Sequence, residues 1–259
     1  MRLDVYLTES GLTKSRSQAS ECIKSGLVSV NGKTDVKPSF DVSSDDEVIL
    51  LGKPHCFVGR GGLKLDHALG YFGVDVSGMM AVDIGASTGG FTDCLLQRGA
   101  KFVLAVDSGH GQLDTTLLSD ERVRSLEGFN ARDLAPDVVG FSADIAVTDV
   151  SFISQTLVIP PAFSVLKEGG VYVGLIKPQF ECGASALGKN GIVKDKKHHV
   201  SAILKVAQSG KDAGFSVFGI TPSPIVGGDG NREFLLYMKK STDGLTSDKI
   251  VALAEEVSR

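Results

Sequence analysis

Lys177 lies where a buried strand is predicted to end, which is an unusual place for an ammonium group. The run VYVGLI that precedes it is apolar and β-branched, as is typical of a strand covered on both faces. Pro178 follows and ends the hydrogen-bonded ladder, because proline has no N–H to donate. The sequence therefore predicts Lys177 at the carboxyl end of a strand.

Three further ionisable residues occupy comparable positions. Asp149 in VTDVSF and Glu233 in GNREFLL lie at strand ends, and Lys64 lies near the start of an amphipathic helix in GGLKLD. A lysine that is desolvated beside another cation has a lowered pKa and can act as a general base, while carboxylates hold such lysines in place. The four residues together suit the deprotonation of a weakly acidic hydroxyl group. Each one alone has an ordinary alternative as a salt-bridge partner.

The elements that position these residues alternate between strand and helix over residues 61–259. Strand candidates are MMAVDIG, KFVLAVD, DIAVTDV, VYVGLI, FSVFGITPS and REFLLYMKK. Helical spacing appears in GGFTDCLLQRG, in SQTLVIPPAFSVLKEGG (where Pro160-Pro161 should break or kink the helix) and in KDKKHHVSAILKVAQSGKDAG. This alternation predicts an α/β fold with a doubly wound, Rossmann-like and mostly parallel sheet. Ligands of such sheets bind beyond the carboxyl ends of the strands.

A glycine-rich turn between a strand and a helix, in AVDIGASTGGFTDCLLQRGA, predicts a nucleoside site. Its simpler alternative is a tight βα turn that only packs the helix. The dinucleotide fingerprint fails at Ser87, and no Gly-Lys-Ser/Thr follows for a phosphate-binding loop. Asp83 would repel a phosphate and attract a cationic amino-acid group, which points to S-adenosylmethionine. The predicted contacts are Asp83, Gly85, Ala86, Ser87, Thr88, Gly89 and Gly90 for its methionine end, Asp107 for its ribose and Asp133 for its adenine amine.

Residues 1–54 form a separate predicted domain, joined by a linker at 55–60 to a domain at 61–259. Two short amphipathic helices each end at a glycine, Gly11 and Gly26, and Asn31-Gly32 is a hairpin signal. Residues 1–40 carry six basic residues (Arg2, Lys14, Arg16, Lys24, Lys33, Lys37) and four acids (Asp4, Glu9, Glu21, Asp35), a net charge of +2. Charge alone fits either a solvated helix face or a surface that contacts RNA.

The composition excludes several classes of protein. The 259 residues are 42% hydrophobic and 22% charged with a net charge of −4, as in ordinary globular proteins, so any nucleic-acid contact must be local. The sequence shows neither a signal peptide nor a membrane span, which predicts a cytoplasmic protein. Four widely spaced cysteines match no zinc motif and predict reduced thiols, and adjacent His198 and His199 point to different helix faces, so no metal site is expected.

The N-terminal pattern resembles the S4 RNA-binding domain, whose elements R-L-D, S-R-x-x-A, I-x-x-G-x-V and V-N-G occur here in order. Residues 61–240 are similar to FtsJ-type ribose methyltransferases, and the whole chain resembles the TlyA family. The matching segments are RGGLKL, VDIGASTGGFTDCLLQRGA, GHGQL, DVSFIS, LIKPQFE, GIVKD and GNREFLL.

The resemblance implies 2′-O-methylation of cytidine in ribosomal RNA, with the S4 domain on a ribosomal subunit. Separately, we expect the protein to be a monomer. The family's catalytic tetrad falls on Lys64, Asp149, Lys177 and Glu233. The expected RNA contacts are Arg2, Lys14, Arg16, Lys24 and Arg60. The alternative is a non-catalytic RNA-binding factor in ribosome assembly. A haemolysin, a name the family also bears, is a more distant one, since no pore-forming segment is visible.

Overall fold

The computed structural model describes residues 1–13, 16–24, 26–51 and 57–259. It divides into two compact units, Met1–Arg60 and Gly61–Arg259. The expected end of the first domain at residue 54 and the first residues of the expected linker lie outside the described part, so those boundaries stay predictions.

The N-terminal unit contains two helices and a two-stranded sheet. Helix α1 (Leu3–Glu9) and helix α2 (Arg16–Lys24) pack against antiparallel strands β1 (Val28–Val30) and β2 (Val48–Leu50). Gly11 and Gly26 follow the two helices with φ of +71° and +70°, as the capping pattern predicted.

The Asn31-Gly32 pair makes a tight turn, but the chain after it does not return as a strand. Both residues have positive φ, and Val30 and Lys33 exchange backbone hydrogen bonds of 2.9 and 3.0 Å across the turn. Strand β1 instead pairs with residues 48–50. The segment after the turn, TDVKP, contains Asp35 and Lys37, which strands disfavour, and ends in a proline, and the more distant VIL takes the place beside β1.

The C-terminal unit is built on a seven-stranded sheet of order β5–β4–β3–β6–β7–β9–β8. Its strands are β3 (Met80–Ile84), β4 (Phe102–Val106), β5 (Val123–Leu126), β6 (Ala143–Thr148), β7 (Leu166–Ile176), β8 (Ser216–Pro222) and β9 (Phe234–Lys239). Neighbours from β5 to β7 run parallel, whereas β9 runs antiparallel to both β7 and β8. The start of β9 therefore lies at the edge where the parallel strands end, which brings Glu233 to that edge.

Helices cover both faces of this sheet. They are α3 (Gly61–Phe72), α4 (Gly90–Gln97), α5 (Thr115–Leu118), α6 (Pro136–Val139), α7 (Ile159–Val165), α8 (Pro178–Glu181), α9 (Lys196–Ala213) and α10 (Ser247–Val257). Val82 and Ile84 pack in one core with α7, α9 and α10, so alternation along β3 turns Asp83 to the other face, where α3 and α4 pack together. The doubly wound α/β prediction is confirmed.

Some elements differ from the sequence expectation. Pro160 and Pro161 lie in the first turn of α7 rather than breaking a longer helix, because proline lacks only an N–H that this turn does not use. The LKEGG segment belongs to β7 rather than to the helix before it. Strand β5 and helix α10 were not expected. Strand β5 is four residues long and half-exposed, so it shows little apolar periodicity.

Candidate active site

The glycine-rich turn after β3 approaches the end of β6 closely. Gly85 has φ +85°, and a Cβ atom there would lie 2.7 Å from the backbone oxygen of Asp149. The N–H groups of Gly85 and Ala86 both donate to Val106 O, at 2.8 and 3.1 Å. Only glycine allows both this backbone conformation and this contact, which explains the residue type at the start of the turn.

Asp107 at the end of β4 holds two loops in place. Its Oδ2 accepts the N–H of Ser87 at 2.8 Å, and its Oδ1 accepts the N–H of Gly109 at 2.7 Å. The carboxylate thus connects the glycine-rich turn to the loop after β4, and its remaining lone pairs can accept hydroxyl protons.

A cavity of about 640 Å³ lies beyond these strand ends. Gly85, Ser87 and Asp107 line it, as do four consecutive residues from Phe129 to Arg132. Asp133, the expected adenine contact, is exposed and is not among the lining residues. Sequence reasoning selected the acid of this segment and passed over Asn130 and Arg132, whose side chains also offer hydrogen bonds.

Asp83 is completely buried beneath the turn. It lines neither this cavity nor a smaller one beside it, which is described below. Its Oδ2 accepts the hydroxyl of Thr92 at 2.7 Å, whereas its Oδ1 has no hydrogen-bond partner. Burial raises the pKa of Asp83 to about 7, although the bond from Thr92 opposes this shift. The carboxyl group thus ties β3 to the first turn of α4.

The four predicted catalytic residues form two ion pairs. Lys177 Nζ lies 2.6 Å from Asp149 Oδ1 and donates to Ser151 Oγ at 2.8 Å. Lys64 Nζ donates to Glu233 Oε2 at 2.6 Å, and both side chains are buried. Each lysine therefore pairs with its own carboxylate at the same edge of the sheet.

The strand register and the electrostatics of Glu233 both place the two pairs beside each other. Burial raises the pKa of Glu233, Lys64 lowers it, and the charges of Asp149 and Lys177 act on it as well. The strand register agrees, because Ile176 pairs with Phe234 and the next residues are Lys177 and Glu233. Gly227, in the loop between β8 and β9, lies against the carboxylate of Glu233. A Cβ atom at this position would lie 2.5 Å from Glu233 Oε1, so the contact requires glycine.

A second cavity, of about 220 Å³, adjoins the first. Lys177, Thr88 and Phe91 line it, and Gly85, Ser87, Asp149 and Ser151 line both cavities. The Lys177–Asp149 pair therefore lies where the contents of the two cavities would meet. Such an arrangement can place a nucleophilic hydroxyl group beside a bound electrophile.

The loop that carries Asp149 and Ser151 is held by buried polar groups that sequence reasoning missed. Glu181 accepts the Ser154 hydroxyl at 2.5 Å and the Gln155 N–H at 2.7 Å, and Lys205 pairs with it at 3.2 Å. Gln155 also donates to Leu175 O and accepts from the Tyr172 hydroxyl. Ser154 and Glu181 belong to the segments DVSFIS and KPQFE, which match the family pattern. Only the fold shows that these two segments are in contact.

Asp4 shapes the N-terminal basic surface. It accepts two hydrogen bonds from Arg2, at 3.0 and 2.9 Å, and one from Arg16 at 3.2 Å. The Arg2 guanidinium holds the pKa of Asp4 at about 2, well below its usual range. Lys24 is exposed at the end of α2, Arg60 is the last residue of this unit, and Lys14 lies outside the described residues.

Other expected features stand as follows. Cys22, Cys94 and Cys182 are thiols that form no disulfide within the described part, and Cys56 lies outside it. Buried His199 hydrogen-bonds through Nε2 to Val193 O. Within the described ranges, no cluster of three His, Cys, Asp or Glu side chains could hold a metal ion. No helix in the described part of the chain is long and apolar enough to span a membrane.

Comparison with known families defines the class of protein. Residues 57–240 match the FtsJ-like methyltransferase family, and residues 1–48 match the S4 domain. The chain is therefore an FtsJ-like methyltransferase with an N-terminal S4 domain, and this fold and family imply the use of S-adenosylmethionine.

Similar proteins narrow the class further. The 16S/23S rRNA (cytidine-2′-O)-methyltransferase TlyA of Mycobacterium tuberculosis is 40% identical over 249 residues, which are 96% of this chain and 93% of the relative. Hemolysin A of Brachyspira hyodysenteriae is 41% identical over 242 residues, 92% of this chain and 99% of the relative. A solved structure of a candidate hemolysin from Streptococcus thermophilus has 42% identity and a TM-score of 0.78, covering 99% of this chain and 95% of that one. The chain belongs to the TlyA family, as the resemblance predicted.

Proposed function

We propose that this chain transfers the methyl group of S-adenosylmethionine to the ribose 2′-hydroxyl of cytidine in ribosomal RNA. The observation that carries the proposal is the Lys177–Asp149 pair, which lies where the two cavities meet, beside the buried Lys64–Glu233 pair. A TlyA relative of 40% identity is named for this reaction.

The residues around the larger cavity fit S-adenosylmethionine. Gly85, Ala86, Ser87, Thr88 and Gly90 would face its methionine end, and Asp107 would accept from its ribose hydroxyls. Asp83 and Gly89 stay weaker candidates, because neither of them lines either cavity. The negative charge of Asp107 favours a ligand with an ammonium and a sulfonium over one with phosphates. Phe129, Asn130 and Arg132 would border the adenine, and Asp133 stays a weaker candidate because it lies outside the lining. When bound, the cofactor supplies an electrophilic methyl group.

The chain's own residues would activate the hydroxyl group. Once the Lys177 ammonium has released its own proton, its Nζ would accept the 2′-hydroxyl proton while the oxygen bonds to the methyl carbon and the bond from that carbon to the cofactor sulfur breaks. Asp149 would then stabilise the ammonium that forms on Lys177. Ser151 fixes the position of Nζ through its hydroxyl. Lys64 and Glu233, buried as a pair, hold the adjoining wall and contribute a fixed field at the reacting oxygen.

An aromatic surface at the cavity rim would receive the target base. Phe152 lines the larger cavity, is 91% exposed and has φ +62°, a conformation that costs free energy for a bulky side chain. Its ring lies 5.1 Å from that of Phe180, which in turn lies 6.0 Å from Lys177 Nζ. Bases that leave an RNA helix commonly stack on such exposed rings.

The N-terminal unit would hold the RNA. We propose that residues 1–54 bind a ribosomal subunit through Arg2, Lys14, Arg16 and Lys24. Residues 55–60 would form the linker, from which Arg60 adds a further RNA contact, and residues 61–259 would form the catalytic domain. The net charge of −4 makes a local contact surface necessary. The enzyme would act as a monomer in the cytoplasm.

Transfer of labelled methyl groups to isolated small and large ribosomal subunits tests the proposal. The expected product is a 2′-O-methylcytidine, recognised because alkali does not cleave the RNA chain after it. Label on a base would contradict the reaction. No label on subunits, naked RNA or assembly intermediates, with cofactor binding intact, would favour a non-catalytic assembly factor.

A further inference from the structure

The loop GHGQL at residues 109–113 lines the larger cavity, yet nothing in the reaction described above uses it directly. Gly109 and Gln112 are lining residues, and the Gln112 Oε1 accepts the Ser87 hydroxyl at 3.2 Å. Gln112 therefore bridges from this loop to the glycine-rich turn on the other side. Its side-chain amide nitrogen can still donate to a ligand.

Glu127, just beyond β5, holds this loop through its backbone. Glu127 Oε2 accepts the N–H of Gly111 at 2.7 Å, and its Oε1 accepts the N–H groups of Gln112 and Leu113 at 3.1 and 3.3 Å. Three successive N–H groups that converge on one carboxylate form a compact anchor, and charge-assisted bonds of this kind are stronger than neutral ones. These bonds also lower the pKa of Glu127, so the side chain is ionised near neutral pH.

The residue after Glu127 supplies a second anchor. Gly128 has φ +68°, and a Cβ atom there would collide with the His110 ring. The loop therefore rests on Gly128 while Glu127 holds its backbone. The end of the loop also packs against the glycine-rich turn. A Cβ atom on Gly89 would collide with the side chains of Leu113 and Leu117.

We propose that Glu127 is a positioning residue for the cofactor site: by fixing residues 111–113 it sets the wall of the cavity and presents Gln112 opposite Ser87. The proposal rests on the proposed use of this cavity for S-adenosylmethionine. It assigns Glu127 no part in methyl transfer itself, because its carboxylate is occupied by the loop.

The test is calorimetric binding of S-adenosylmethionine to full-length Glu127→Ala and Glu127→Gln variants, with steady-state kinetics alongside. Glu127→Ala should raise the Kd and the KM for the cofactor about tenfold, since the loop loses its anchor. Glu127→Gln keeps one acceptor oxygen and should raise the Kd only about threefold. At saturating cofactor, kcat and the KM for RNA should stay within about twofold of wild type.

Asp120→Ala is the matched control. Asp120 precedes β5 as Glu127 follows it, and its carboxylate likewise accepts a backbone N–H, that of Arg122 at 2.9 Å. It lies outside the lining of the cavity, so its loss should leave the cofactor Kd unchanged. Amide hydrogen exchange should become faster at residues 109–113 in Glu127→Ala and not in Asp120→Ala.

Three results would overturn the inference. They are an unchanged cofactor Kd in folded Glu127→Ala, a fall in kcat without a change in Kd, and an equal rise in Kd in Asp120→Ala. Cofactor binding is measured without RNA, so a wrong RNA substrate leaves this test intact. A wild-type chain that binds no S-adenosylmethionine would contradict the proposed function, and the inference would fall with it.

Discussion

At the scale of single residues, burial decides what each ionisable group can do. Asp83 and Glu233 are almost fully buried, and burial raises the pKa of both. Glu233 has a lysine beside it to offset that cost, whereas at Asp83 the cost is opposed by hydrogen bonds from Thr92 without a cation. Asp83 is therefore the buried carboxyl whose charge costs the fold most among those described at the site.

This gives stability a defined dependence on pH. The pKa of Asp83 rises from 3.8 to about 7 on folding, so the folded state keeps its proton in a range where the unfolded chain has lost it. The contribution of Asp83 to the free energy of unfolding should therefore fall as pH rises from about 4 to about 7 and then level off. Asp83→Asn should remove this contribution and gain stability relative to wild type across that range, by on the order of a few kcal/mol at pH 8.

Urea unfolding of the cofactor-free protein at several pH values measures this. Exposed Asp137 in α6 provides the control, because Asp137→Asn should parallel wild type. A difference between Asp83→Asn and wild type that does not grow between pH 4 and pH 7 would show that the buried carboxyl is not the cause.

At the scale of elements, the strand ends and the turns between them build the site. Gly85 combines a positive φ with contact to Asp149, whereas Gly73 has φ +65° and nothing within 4 Å of a Cβ position. Gly73→Ala should therefore cost only the conformational strain, about 1 kcal/mol. Gly85→Ala adds a collision and should cost about 2–4 kcal/mol in the free energy of unfolding.

The two variants also separate stability from binding. Gly85→Ala should weaken S-adenosylmethionine binding at least about tenfold, whereas Gly73→Ala should leave it unchanged. Denaturant titrations and calorimetry give the two quantities. Equal losses in both variants would mean that the turn does not depend on the approach of Gly85 to Asp149.

Long periodic elements were predictable from the sequence, and contacts that depend on distant segments were not. The VYVGLI strand and the helix from Lys196 to Ala213 show clear patterns of apolar residues, so both were found. Strand β5 is too short and polar to stand out, and its role as the support of Glu127 appears only once it pairs with β4. The four tetrad residues were identified from their chemistry and from the resemblance. That Lys64 pairs with Glu233, 169 residues away, could not be predicted, because it depends on the antiparallel course of β9.

At the scale of the whole molecule, charge must be distributed unevenly for the chain to bind RNA. The net charge is −4, and Arg2 and Arg16 in the N-terminal unit are partly neutralised by Asp4. Lys24 is exposed at the end of α2. Lys24 is therefore the described N-terminal residue on which the proposed RNA contact can be tested most cleanly.

Lys24→Ala should weaken binding to ribosomal RNA and lower the slope of log K against log salt concentration by about 0.7–0.9, the change expected when one phosphate contact is lost. Lys249→Ala removes the same charge from the exposed side of α10 and should leave the slope unchanged. Filter binding at several salt concentrations gives both slopes. Equal slopes for Lys24→Ala and wild type would remove Lys24 from the contact surface.

The central claim is that the Lys177–Asp149 pair activates a ribose hydroxyl group for methyl transfer. Its most direct test is the single-turnover rate of transfer to ribosomal RNA by Lys177→Ala, with S-adenosylmethionine saturating and its Kd measured separately. Lys101→Ala, which removes an exposed lysine just before β4, at the opposite edge of the sheet, is the control and should match wild type. The account predicts that Lys177→Ala loses a factor of about 10²–10⁴ in rate while its cofactor Kd stays within about twofold. A rate equal to wild type, or a loss explained by weaker cofactor binding alone, would contradict it.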